Sequence, residues 1–238
     1  MPTQDMTADA AEIARFGALA ERWWNPSGPM KPLHRMNALR VGWITRRARL
    51  HCGTIGGLGL LDVGCGAGLA SEALAREGFS VLGIDASAPL IEVANSHAAA
   101  ASLPLSYRAI LPEALAVEGV RFRVITALEV IEHVPDPAAF LATLGDLLEP
   151  GGLLFLSTIS RTIEALALAK IGAEYVLRLL PPGTHDWRRF ILPAEMDRLL
   201  AQTGFRLADL AGMTLDPLHR SWRESRDLSM NYIAMALG

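Results

Sequence analysis

Gly64, Gly66 and Gly68 stand at alternate positions in the stretch Leu60-Leu61-Asp62-Val63-Gly64-Cys65-Gly66-Ala67-Gly68. A second apolar run, Val81 to Ile84, ends in the acid Asp85. Glycine lacks a β-carbon, so such a turn leaves bare backbone against which a ligand can lie. Asp85 follows about 20 residues after the turn, the spacing that puts an acid at the tip of the neighbouring strand of a βαβ unit, within reach of a ribose diol. The chemistry implied is recognition of a nucleoside-bearing cofactor. Without a flanking strand and helix, the same residues would mean only a tight turn and a helix cap.

The spacing narrows the cofactor. A dinucleotide fingerprint puts its third glycine where this chain has Leu69; here Gly68 comes one place early, which disfavours an NAD-dependent oxidoreductase. Asp62 would repel a pyrophosphate but suits the ammonium or sulfonium end of a cationic ligand. Asp62, Gly64, Gly66 and Gly68 resemble the D-x-G-x-G-x-G loop of class I S-adenosylmethionine (AdoMet) methyltransferases.

A second constellation is Leu128-Glu129-Val130-Ile131-Glu132-His133-Val134-Pro135-Asp136-Pro137. If the backbone turns helical there, Glu129, Glu132 and His133 share one face. Two carboxylates and an imidazole could hold a divalent metal, and the oxygen-rich set favours magnesium or manganese over zinc. The competing reading is metal-free. A similar L-E-H-V-x-D-P run in AdoMet methyltransferases supports the cofactor edge, with the histidine as general base or structural residue.

The elements that must position these groups alternate in type. After a helical preface over 9–50, strands are expected at 58–63, 79–84, 105–109, 122–127, 153–158, 205–210 and 232–237. Helices at 69–77, 88–101, 137–148 and 193–203 separate them, with Ser87 as N-cap and Pro89 in the first turn of the second. This order predicts an α/β fold: a Rossmann-like, doubly wound, mostly parallel seven-stranded sheet with its ligand at the carboxyl edge. Length and composition, 238 residues with 51% hydrophobic, suit a single domain spanning 1–238. The net charge of -3 speaks against nucleic acid as a partner. Two cysteines, Cys52 and Cys65, make no disulfide framework and fit a reducing compartment. Neither a signal peptide, a transit peptide nor a membrane-spanning run is visible.

One segment breaks the alternation. About thirty residues after the fifth expected strand, far more than an ordinary crossover, form a helical insertion over 160–190. Ile163, Leu166, Ile171, Tyr175, Val176, Leu179 and Leu180 give it an apolar stripe, flanked by Lys170, Arg178, Arg188 and Arg189. A lid, a membrane-interface contact and a core-packing helix all fit that pattern.

Trp23-Trp24-Asn25-Pro26, Lys31 to Arg40, Gly172-Ala173-Glu174-Tyr175 and Gly183-Thr184-His185-Asp186-Trp187 are not generic to methyltransferases. Together with 61–68 and 129–137 they resemble the ubiquinone-biosynthesis O-methyltransferases over essentially the whole chain. The resemblance implies O-methylation of catechol-type polyprenyl intermediates, a polyprenyl-hydroxyphenol and demethylubiquinol. It implies AdoMet contacts at Arg40 (methionine carboxylate), Gly64, Asp85 (ribose) and Leu128 (adenine side, where relatives carry Met). It also implies a metal triad, Glu129, Glu132 and His133, with magnesium as the ion. Catalytic candidates are His133, Glu132 and His185, with His133 or His185 as base in the absence of metal. A bilayer-resident substrate implies peripheral contact with membrane lipid at the cytoplasmic face, and other enzymes of ubiquinone biosynthesis as partners. Two other readings are a methyltransferase of another small metabolite and a non-catalytic AdoMet-binding member of a complex.

Overall fold

The structure is a computed structural model that describes residues 9–103, 105–162, 187–216 and 221–238. One sheet organises it, with strands in the order β3-β2-β1-β4-β5-β8-β6-β7. Strands β1 (Gly59–Val63), β2 (Ser80–Asp85), β3 (Leu105–Ala109), β4 (Phe122–Leu128) and β5 (Leu148–Ile159) pair in parallel. Strands β6 (Arg206–Asp216), β7 (Ser221–Ser225) and β8 (Asn231–Leu237) join through antiparallel pairs. The doubly wound, mostly parallel architecture matches expectation, with eight strands rather than seven among the described residues. The extra strand, β7, has Trp222 as its one large apolar residue and sits at the sheet edge, where no period-2 apolar pattern is required.

Neighbouring residues of the central strands bury on opposite faces, because side chains alternate along a strand. Leu60, Val124, Leu153 and Phe155 join Trp43 and Ile44 of α2 (Lys31–Cys52) and Leu74 of α3 (Leu69–Arg76). Leu61, Ile125, Leu154 and Leu156 join the other layer: α5 (Pro112–Val117), α6 (Pro137–Leu147) and α7 (Pro193–Gln202). Helix α4 (Ala88–Ala101) packs Ile91, Ala94 and Ala98 against Tyr107 and Cys65. Helix α1 (Ala10–Gly17) has no buried residue.

Local chemistry sets the boundaries. Asp136 caps α6 by accepting the backbone N–H groups of Ala138 and Ala139, and Pro137 opens the helix. Ser87 occupies the N-cap of α4, but its hydroxyl makes no capping hydrogen bond. Strand β5 begins at Leu148, earlier than the expected Leu153, and runs through Pro150-Gly151 across a bulge opposite Phe122 and Val124. Among the described residues no helix is long and apolar enough to cross a membrane. Most of the expected 160–190 insertion lies outside the described residues.

Candidate active site

Strand β1 lies between β2 and β4, so successive crossovers leave it on opposite sides and open a crevice at the strands' carboxyl ends. A cavity of about 560 Å³ occupies it, reached by Asp62, Gly64, Gly66, Asp85, Leu128, Glu129, Glu132, His133 and Arg40. Gly68 opens α3 beside it. His185 lies outside the described residues.

The glycine turn differs from a simple bare cradle. All three glycines have positive φ (66°, 56° and 90°), a left-handed conformation that disfavours side chains. The spaces their β-carbons would fill are taken by the protein itself. Val130 Cγ2 lies 2.5 Å from where a Gly64 Cβ would be, the Trp23 ring lies on Gly66, and the Tyr107 hydroxyl lies on Gly68. The loop is thereby packed by these side chains, and Trp23 and Val130 also line the cavity.

Asp85 extends from the end of β2, as the spacing requires, and also ties the loop. One carboxylate oxygen accepts the Gly66 N–H at 2.9 Å and the other the Ser87 N–H at 2.8 Å. Burial pushes its carboxyl upward, partly offset by those two donors. Each oxygen keeps a second lone pair for a ribose hydroxyl. Asp62 is more deeply set. It accepts from Ser71 Oγ at 2.5 Å and Thr126 Oγ1 at 2.7 Å, so it acts on the site chiefly as a buried negative charge facing Arg40.

Arg40 is the residue of the site best suited to an anion. It projects from α2, is 3% exposed, and its Nε and Nη1 have no hydrogen-bond partner. Its nearest counter-charge, Glu129 Oε1, is 3.7 Å from Nη1. Burial lowers the guanidinium pKa, offset by Glu129, Asp62 and Glu132. Buried donors of this kind are normally satisfied, and a carboxylate is the acceptor that fits a guanidinium fork. These residues therefore fit the amino-acid end of AdoMet, while Asp85 fits its ribose.

The triad does not fit a metal. Glu129 adopts φ 59° and the backbone from Ile131 to His133 forms a turn, so the expected shared helical face does not exist. Asn231 Nδ2 donates to both Glu129 oxygens at 3.1 Å, and Ser157 Oγ donates to one at 2.7 Å. Glu132 is buried and accepts from Thr158 Oγ1 at 2.9 Å. His133 Nδ1 faces Glu12 Oε2 at 3.0 Å. Among the described residues no three His, Cys, Asp or Glu side chains converge to hold an ion. These carboxylates are oriented by protein donors and do not turn toward a common point.

The electrostatics instead define a proton-handling cluster. Burial, reinforced by Glu129, raises the Glu132 carboxyl to about 7. Hydrogen bonding to His133 holds Glu12 down at about 2. Burial works against a charged His133, but Glu12, Glu132 and Glu129 outweigh it and raise its pKa. Helix α1 supplies Glu12 and also Phe16, whose ring meets His133 edge-on at 5.3 Å. Glu12 and Asn231 were not singled out in the sequence. A lone glutamate on an amphipathic helix carries no local signal, and Asn231 becomes relevant only once β8 pairs with β5.

This arrangement is that of a class I AdoMet-dependent methyltransferase, and residues 38–210 match a family model described as a methyltransferase domain. Ubiquinone biosynthesis O-methyltransferases are similar over nearly the full length. That of Chelativorans sp. (strain BNC1) is 46% identical over 97% of this chain and 94% of its own. That of Dinoroseobacter shibae is 43% identical over 100% and 99%. Among solved structures, magnesium protoporphyrin IX methyltransferase from Synechocystis PCC 6803, with bound SAH, superposes with a TM-score of 0.67. It is 22% identical and covers 96% of this chain and 99% of that one. The chain belongs to the ubiquinone biosynthesis O-methyltransferase family.

Proposed function

We propose that this protein methylates a catechol-type hydroxyl of polyprenyl phenol and quinol intermediates, using AdoMet as donor. The observation that carries the reading is that one cavity joins the cofactor wall of Arg40 and Asp85 to Glu132 and His133. Bound there, AdoMet supplies a methyl on a sulfonium. The chain's own work is alignment and proton removal: Arg40 and Asp85 fix the donor's two ends, and the walls exclude water. A phenol has a pKa of about 10 and must give up its proton as its oxygen attacks. His133, oriented through Nδ1 by Glu12, is the base. Incubation with labelled AdoMet and a short-tailed demethylubiquinol should give the methyl ether; no label transfer to this or a polyprenyl catechol would sink the reading.

The tail implies contact with lipid at the cytoplasmic face, and the 163–180 apolar residues with Lys170 and Arg178 are the candidates in the sequence. Changing Leu166, Ile171 and Leu179 to polar residues should abolish sedimentation with anionic liposomes and leave AdoHcy (S-adenosylhomocysteine) affinity unchanged. Retained sedimentation would rule out this contact.

A further inference from the structure

We infer that Trp23 is a binding residue for the amino-acid end of the cofactor, donating its indole N–H to the AdoMet carboxylate beside Arg40. The inference rests on the AdoMet reading of the cavity. Trp23 is 7% exposed and lines that cavity, yet its Nε1 has no hydrogen-bond partner. Its neighbour shows the contrast: Trp24 Nε1 donates to the Ala67 carbonyl at 2.9 Å and is satisfied within the protein. Buried indole N–H groups ordinarily find an acceptor.

The ring lies on the cofactor loop: a β-carbon on Gly66 would fall nearest Trp23 Cζ2, then Cη2 at 2.9 Å and Cε2, the ring carbon that carries Nε1, at 3.0 Å. The residue is held there by its backbone carbonyl, which meets His34 Nε2 at 2.9 Å, and by packing in one cluster with Phe16, Met30 and Leu90. Trp43 Nε1 is also unpaired, but that indole lies under the Arg47 guanidinium and does not line the cavity.

The choice of ligand atom follows from complementarity. Indole N–H and guanidinium are donors only, so both require acceptors. Asp85 is acceptor-only and suits the hydroxyl donors of the ribose. The strongest acceptor left on AdoMet is its carboxylate, and among the described residues Trp23 and Arg40 are the buried donors that line the cavity without a partner. The sequence block Trp23-Trp24 thus divides its labour: Trp24 pins the cap to the loop and Trp23 reads the ligand.

The test compares AdoHcy with 5′-methylthioadenosine, which keeps the adenosine but lacks the carboxylate. By calorimetry, Trp23→Phe should weaken AdoHcy about tenfold or more, as befits a hydrogen bond to a charged acceptor. It should leave 5′-methylthioadenosine within about twofold. Equal losses for both ligands, or none for AdoHcy, would overturn the inference; failure of AdoHcy to bind the unsubstituted enzyme would instead remove the AdoMet reading itself. Should Trp23→Phe not fold, the unsubstituted enzyme labelled with ¹⁵N-tryptophan decides the matter. AdoHcy should then move one indole N–H resonance downfield and 5′-methylthioadenosine should not; an unmoved set of indole signals would overturn the inference.

Discussion

Replacing His133 by alanine should lower kcat by about 10²–10⁴-fold, the usual worth of a positioned general base. AdoHcy affinity should stay near that of the unsubstituted enzyme, because Arg40 and Asp85 do not depend on the imidazole. The pH profile supplies an independent check. His133 has a pKa raised above its ordinary value because its acidic neighbours outweigh desolvation. A base must be neutral to accept a proton, so kcat should be low on the acid side and rise as pH climbs through that raised value. Glu12→Gln removes the carboxylate, 3.0 Å from Nδ1, that favours the imidazolium. The rise should therefore shift to lower pH, while kcat falls at the plateau because Nδ1 is less firmly oriented. A His133→Ala enzyme with undiminished turnover would move the base role elsewhere.

The centre of the parallel half was legible because strands there are buried and read as apolar runs bounded by glycine and acid. Leu60–Val63 and Val81–Asp85 announce themselves without tertiary information. The antiparallel edge was harder. Ser221–Ser225 contributes backbone pairing to β6 and little side-chain burial, so composition alone leaves it as loop. The site shows the same division. Asp85 follows from spacing within one βαβ unit. The fate of Glu129, Glu132 and His133 depended on one backbone angle, the left-handed φ of Glu129, which no periodicity argument anticipates. What holds them (Asn231, Ser157, Thr158 and Glu12) arrives from β8, β5 and α1. Likewise, the glycines signalled a ligand loop, but only the packed structure shows Val130, Trp23 and Tyr107 occupying the spaces that side chains there would need.

Arg40→Met should damage binding and folding by two separable routes. The guanidinium is buried, and Glu129 opposite it has a side chain only 15% exposed. Removing the arginine leaves that carboxylate without its counter-charge, and breaking a buried pair in this way costs about 3–5 kcal/mol. Asn231 and Ser157 still donate to Glu129, which argues for the lower end of that range. AdoHcy should also lose about 1.5–3 kcal/mol for each charged hydrogen bond no longer made. The double variant Arg40→Met/Glu129→Gln separates the effects. With both charges gone, chemical denaturation should show part of the stability restored, since a neutral amide at 129 needs no counter-charge while buried Asp62 still lacks the one Arg40 supplied. Calorimetry should show AdoHcy affinity still depressed, because the donor that met the carboxylate is still absent. Recovery of affinity together with stability would mean that Arg40 serves the fold alone and that the cofactor's carboxylate is held by other groups.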